Sequence, residues 1–326
     1  MAIGMHPAAA SACQTPRTTV IIASFNYAEY LRQAIDSVLA QTDRDFELLI
    51  VDDGSTDGSL AIARSYSDSD PRVRVLVQPH SGSGAARNTG MQEARGRYIA
   101  FLDADDIWVR DKLAAQCELL DRRPGTGLVY TRFGVIDADG RVTSRGYSWL
   151  TAKPSGAILR HLLEGNVIGT PSSICFRRNL VENEMIRFDD TQLHSDDWHF
   201  YFLVAPRTRV HYLPSTLAYH RQHARNRCGD VPTMLAEAVW TGRFGLRQAR
   251  EHLDLSEPEL RRIERRMLAY VEALAARECL KSGNRALARA HAARSLAHRP
   301  LAPREALLYL MASVGWVPGA ITRRLK

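Results

Sequence analysis

The first hundred residues alternate between two hydrophobic periods. Thr18 to Ala23 is a β-branched run that stops at Ser24-Phe25-Asn26, which predicts a buried strand followed by a polar turn. Leu31, Ala34, Ile35, Val38 and Leu39 then recur at intervals of three and four, one apolar stripe along a helix ending near Gln41. Phe46 to Val51 predicts a second strand, and Asp52-Asp53-Gly54-Ser55-Thr56-Asp57 supplies a turn and caps for a helix through Tyr66. Val73 to Val77 reads as a third strand and Gly82 to Ala94 as a small-residue loop and helix. Tyr98 to Leu102 is a fourth strand, emptying into Asp103-Ala104-Asp105-Asp106. Strands alternating with helices imply parallel, right-handed crossovers in a doubly wound α/β sheet. The turns after the first, second and fourth strands then share one edge, where Asn26, Asp53 and Asp105 can meet.

Beyond Trp108 the alternation ends. Asp111 caps a predicted helix through Leu120, Leu128 to Ile136 with Asp137-Ala138-Asp139-Gly140 predicts a hairpin, and Thr170 to Phe176 a further strand. Asp196 and Asp197 stand at the first turn of a bulky apolar helix, and Leu217 to Arg221 closes this half. From Val231 helical spacing takes over: Ala236 to Gln248, Leu260 to Leu280 and Ala286 to Leu296, punctuated by Gly283 and Pro300. Ala306 to Leu325 predicts a helical hairpin on the body, ahead of an interfacial membrane anchor. The expected division is a disordered lead-in over 1–16, an α/β domain over 17–227 and a basic α-helical region over 228–326.

Composition narrows the classes. Hydrophobic residues make up 45% of the 326 and charged residues 24%, as in soluble globular chains. The five cysteines are scattered, without the paired spacing of zinc or disulfide frameworks, which points to a reduced cytoplasmic chain. Residues 1–17 lack a basic start and an apolar core, so no signal peptide is expected, and no run is long enough to span a membrane. From Val231 onward there are 17 Lys+Arg against 9 Asp+Glu, so the net charge of +7 resides in the helical tail. Without a nucleic-acid motif beside it, that tail suits an anionic membrane surface, at the inner face, better than nucleic acid.

Asp103, Asp105 and Asp106 repel one another unless a cation joins them; a hard divalent ion carrying nucleotide phosphates would, and so the triplet is either that site or an acidic turn capping the next helix. Gly82-Ser83-Gly84 lacks the third glycine of a dinucleotide fingerprint, Arg87 standing in its place. His220 and His223 have no further ligand pair that would make a zinc site.

Val20 to Asn26, Phe46 to Ser59 with Val51-Asp52-Asp53-Gly54-Ser55-Thr56-Asp57, Ala86-Arg87-Asn88-Thr89-Gly90, and Tyr98 to Trp108 together, in this order, resemble the family 2 glycosyltransferases. The resemblance covers residues 17–227. It implies a GT-A fold, a mixed sheet with helices on both faces, and a metal-dependent, inverting transfer from a nucleotide-diphosphate sugar, UDP-sugar favoured, in cell-surface polysaccharide or glycan assembly. The acceptor would be a glycan, a lipid-linked sugar or a protein. Asp53 would contact the base, with Ser24, Phe25 and Asn26 lining the same pocket. Ala23 and Phe25 depart from the family's usual Pro and Tyr, which removes a tyrosine hydroxyl and keeps a stacking ring. Asp105 would ligate Mg²⁺ or Mn²⁺, Asp103 would serve the ribose or a water-mediated contact, and Arg87 a phosphate or sugar hydroxyl. Asp196-Asp197-Trp198 answers the family's Glu-Asp-Trp segment. Asp197 is assigned as the base that deprotonates the acceptor and Asp196 as its support, capping being their structural alternative. Trp198 would be an acceptor platform or a core residue. Tyr219 to Asn226 matches a late Tyr-Arg-x-His segment, which places Arg221 and His223 near the diphosphate, His223 as a second metal ligand. Two rivals stand beside this: a sugar-phosphate nucleotidyltransferase and a non-catalytic nucleotide-sugar-binding scaffold.

Overall fold

The computed structural model describes residues 15–144, 153–182, 186–223, 225–226, 230–300 and 303–314. Its first half alternates as the hydrophobic periods require: β1 (Thr18–Ser24), α1 (Ala28–Leu39), β2 (Phe46–Asp52), α2 (Ser59–Ser69), β3 (Val73–Val77), α3 (Ser83–Glu93) and β4 (Tyr98–Asp103). These four strands lie parallel in the order β3-β2-β1-β4. Every residue of β2 is buried, which a strand covered on both faces demands.

The second half turns the sheet mixed. After β5 (Ile107–Trp108) and α4 (Lys112–Arg122) come β6 (Thr126–Ile136), β7 (Val142–Ser144), α5 (Leu159–Leu162), β8 (Ile174–Arg177), α6 (Asp196–Val204) and β9 (Arg209–Arg221). β8 runs antiparallel between β4 and β6, β9 parallel to β6, and β5 antiparallel to β9 at the far edge. β6 and β7 form the expected hairpin, Gly140 taking the left-handed φ of +83° in its turn.

Two expectations shift here. Thr170 to Phe176 is not one strand: the Thr170 hydroxyl accepts the Ser172 N–H and caps a 3₁₀ turn at Pro171–Ser173, leaving β8 only from Ile174. The last strand is longer than Leu217 to Arg221, because β9 absorbs Pro214 and Ser215 at an irregularity where its register against β6 jumps.

Side chains alternate between two cores. Ile22, Leu48, Ile50 and Leu102 face α1, α2 and α4, where Leu31, Ile35, Ile62, Leu113 and Leu120 meet them. Ile21, Leu49, Val51 and Phe101 face α3 and α6. The remaining helices, α7 (Val231–His252), α8 (Glu257–Lys281), α9 (Arg285–His298) and α10 (Pro303–Val314), begin as predicted after residue 230. They are fused to the sheet: Ala238, Ala249, Ile263, Met267 and Val271 complete the α6 core. The end of α8 with α9 and α10 makes a smaller cluster of its own. The lead-in, most of the terminal hairpin, Cys13 and Cys228 fall outside the described residues. Cys117, Cys175 and Cys279 are free thiols and buried. Among the described residues no helix is long and apolar enough to cross a membrane.

Candidate active site

The carboxyl ends of β1, β2 and β4, the turn before β8, the start of α6 and the end of β9 meet at one edge of the sheet. At the β1 end, Asn26 takes φ +57°, tolerated by a short side chain that bonds locally. Its Oδ1 accepts the backbone N–H groups of Thr56 (2.8 Å) and Asp57 (3.3 Å), tying the first turn to the second. Ser24 is buried on the Ile22 side of β1, and its Oγ has no hydrogen-bond partner.

Asp53 follows β2 and is 2% exposed. Oδ1 accepts from Gln78 Nε2 (2.7 Å) and Ser81 N (2.9 Å), Oδ2 from His80 Nδ1 (2.8 Å) and Gly82 N (2.8 Å). Four donors therefore fill the carboxylate expected to receive a base N–H. The His80 ring also stacks on Phe25, centroids 3.8 Å apart and planes 17° from parallel.

At the β4 end the three aspartates take different roles. Asp103 bonds Arg87 Nη2 at 2.7 Å and Thr170 Oγ1 at 3.2 Å. Asp105 Oδ2 lies 3.0 Å from His223 Nε2. Asp106 is wholly buried; it accepts from Ser172 Oγ (2.6 Å), Arg221 N (2.9 Å) and His220 Nδ1 (3.1 Å). Burial raises its pKa, while burial opposes the charge on His220 but the acidic cluster, Asp106 first, lifts that imidazole to about 9. Asp106 is a strut between the acidic loop, the 3₁₀ turn before β8, and β9.

Arg87 bridges two carboxylates: Nη1 reaches Asp196 Oδ2 at 2.6 Å while Nη2 holds Asp103, and the guanidinium lies over the Phe188 ring. Arg87, expected to meet a phosphate or a sugar hydroxyl, forms an internal clamp between β4 and α6. Arg221 likewise departs from expectation. It is 0% exposed, with Nε on the Asp105 carbonyl (2.7 Å), Nη1 on the Ala138 carbonyl (2.9 Å) and Nη2 on Gln33 Oε1 (2.7 Å). Its donors here hold the backbone that presents Asp105. His223 stacks on Tyr30 at 4.8 Å, which fixes the ring facing Asp105.

The two α6 carboxylates separate electrostatically. Asp196 is compensated by Arg87. Asp197 has no cation of its own among the described residues; it accepts from Trp198 N (2.6 Å) and Asn166 Nδ2 (3.1 Å). Burial, then the Asp196 charge, push its pKa up to about 7 against those bonds and the Arg87 charge. Of the two roles expected for Trp198, the structure gives the core one: it is 3% exposed, its Nε1 donates to the Leu162 carbonyl at 3.0 Å, and Phe202 and Tyr270 flank it. It has no free face for a sugar.

The sequence alone did not single out His80, Asn166, Thr170 or Ser172. The last two are the cap and a residue of the 3₁₀ turn read as strand, and a Thr-Pro-Ser-Ser turn signal marks it. Among the described residues no three His, Cys, Asp or Glu side chains gather as a metal-binding group. Asp105 and His223 still suit a divalent cation in kind: a carboxylate oxygen and an imidazole nitrogen converge where a cation can replace their shared proton.

A mixed sheet with an acidic loop at the end of β4 and a carboxylate pair at the start of α6 on the same edge is an arrangement of the GT-A kind. The chain belongs to glycosyl transferase family 2, whose sequence model matches residues 19–184, just over half of it. It is 29% identical over 248 residues to an uncharacterized glycosyltransferase of Nostoc sp., spanning 73% of this chain and 74% of that one. In fold it resembles Staphylococcus aureus TarS solved with UDP-GlcNAc (TM-score 0.62, 16% identity, 95% of this chain and 90% of that one). It also resembles the mannosyltransferase PcManGT of Pyrobaculum calidifontis solved with GDP-Man and Mn²⁺ (TM-score 0.57, 21% identity, 96% and 84%). The protein is thus a GT-A glycosyltransferase.

Proposed function

We propose that this enzyme transfers a glycosyl group from a nucleotide-diphosphate sugar to an acceptor hydroxyl with inversion, Asp197 acting as base. One observation carries the reading: of two adjacent carboxylates, Asp196 is neutralised by Arg87 and Asp197 is left poised near 7, where a general base works best at physiological pH. The acceptor oxygen attacks the anomeric carbon from the face opposite the nucleotide; its proton passes to Asp197 as the bond to the diphosphate oxygen breaks. Asn166 orients Asp197, and the Arg87 clamp keeps α6 in register with Asp103. Asp105 and His223 would hold Mg²⁺ or Mn²⁺, whose charge offsets that of the departing diphosphate. The nucleotide sugars bound in the two structural neighbours support the donor class, and family membership favours glycosyl over nucleotidyl transfer.

The helical end supports a second inference, contact with an anionic membrane. Residues 281–326 contain nine Lys+Arg against one acidic residue, and Leu307 and Leu310, neighbours on α10, are 50% and 59% exposed.

The test of the donor site is a panel of nucleotide sugars with Mn²⁺ screened by thermal stabilisation, then product configuration by proton NMR. A retained anomeric configuration would overturn the single displacement.

A further inference from the structure

His80 makes, from within the chain, the two contacts a nucleobase makes in a recognition pocket. Its ring lies flat on Phe25, and because a carboxylate only accepts, Nδ1 must carry the proton that points to Asp53 Oδ2. A pyrimidine stacked on Phe25 with its imide N–H on Asp53 would need the same ring face and the same lone pair. We propose that His80 is a placeholder in the base subsite, a residue that occupies it until the nucleotide displaces it. This rests on the assignment of Phe25 and Asp53 to the base.

The surroundings decide that His80, and not the loop, is what moves. Of the four donors on Asp53, Ser81 N and Gly82 N belong to backbone that leads directly into α3, and Gln78 is braced by Thr89, whose Oγ1 donates to Gln78 Oε1 at 2.7 Å. The loop is also pinned from below: a Cβ on Gly54, at φ +75°, would lie 2.9 Å from His80 N, so the two segments pass backbone to backbone. The imidazole has no such anchor. Its side chain is 55% exposed and can rotate into water without opening the core. Its departure leaves the Asp53 carboxylate with Gln78, Ser81 and Gly82, frees one acceptor position on Oδ2 together with the Asp53 carbonyl oxygen, 3.2 Å from the same Nδ1, and uncovers one face of Phe25. The carboxylate stays oriented by three donors while the fourth site opens, as a preformed pocket requires.

Self-occupancy multiplies apparent affinity by the fraction of time the site is open. A stacked pair and a charge-assisted hydrogen bond, discounted because the His80 ring is already half in water, make the loss about tenfold. The experiment uses the full chain with UDP and GDP as probes in the presence of Mn²⁺, titrated calorimetrically against wild type, His80→Ala, His80→Phe and Phe25→Ala. His80→Ala should bind the preferred nucleotide about tenfold tighter, and His80→Phe, which keeps the stack and loses the bond to Asp53, should fall between. Phe25→Ala should bind more weakly than wild type. If His80→Ala binds with unchanged or weaker affinity while Phe25→Ala still weakens binding, the base subsite stands and the placeholder is overturned; the imidazole is then a platform for the base. If Phe25→Ala leaves affinity unchanged, the base assignment fails and the proposal with it. Binding of neither nucleotide to any of the proteins, each folded by circular dichroism, overturns both.

Discussion

Replacing Asp197 by asparagine should stabilise the enzyme and inactivate it at once. The carboxyl is held at about 7 against an ordinary 3.8, so the folded state binds a proton there that the unfolded state releases between those values. Stability contributed at this site therefore falls as pH rises from about 4 to about 7 and levels off above. At roughly 1.4 kcal/mol per unit the ceiling on that loss is about 4 kcal/mol. Two features reduce what asparagine recovers. The charge is shared with Asp196, and the new amide must set its NH2 against a donor whichever way it lies, Asn166 Nδ2 (now 3.1 Å from Oδ2) or Trp198 N (now 2.6 Å from Oδ1). Asn166 cannot simply turn over, because its Oδ1 accepts the Gly169 N–H at 2.9 Å. Setting about 1–2 kcal/mol against that mismatch leaves a net gain of about 2 kcal/mol. For a chain of this size that is a rise in Tm of roughly 3 °C at pH 8, vanishing near pH 5 and turning into a loss of about 2 °C by pH 4, where the wild-type carboxyl is already protonated and only the mismatch remains. Differential scanning fluorimetry across that range reads the shift, and nucleotide release with a saturating donor reads turnover, which should drop at least about a hundredfold. A Tm that falls equally at pH 5 and pH 8, or turnover within a fewfold of wild type, would refute the raised carboxyl and its role.

In the wild type, kcat/KM should decline as pH drops below about 7, and the same limb should be absent from nucleotide binding measured by calorimetry. Arg221→Met should cost about 3 kcal/mol or more, since it strands the Asp105 and Ala138 carbonyls and Gln33 in a buried site; chemical denaturation checks it, and a neutral effect would contradict its role as a strut. Trp198→Phe should lower Tm through the lost Leu162 bond and a smaller ring while leaving the acceptor KM unchanged. Leu307→Glu with Leu310→Glu should abolish co-sedimentation with phosphatidylglycerol vesicles, and wild-type binding to neutral phosphatidylcholine should be weak; equal binding to both vesicle types would dismiss the electrostatic component.

The strands of the first half were legible because their runs are continuous and β-branched, and the helices because each buries one stripe. β9 was half hidden: Pro214 and Ser215 break its pattern, and only the pairing with β6 across an irregularity restores it. The acidic loop, Asp53 and the Asp196-Asp197 pair were visible as residue types, and the structure brings them to one edge. What the letters did not carry is how each charge is compensated. Arg87 and Arg221 look like phosphate ligands in a string; only burial shows that one spans two carboxylates and the other holds three carbonyls and an amide. His80 escaped notice because a lone histidine in a polar loop has no periodic signature, and its meaning comes wholly from the Phe25 ring and the Asp53 oxygen beside it.

The Asp103–Arg87–Asp196 bridge limits how this chain can be recombined. A recombinant that grafts the segment after residue 186 from a relative must bring a carboxylate to position 196 or leave Arg87 buried with one partner missing. Chimeras that honour that one position should fold with their nucleotide half undisturbed, whereas those that place an apolar residue there should fail on both sides of the reaction at once.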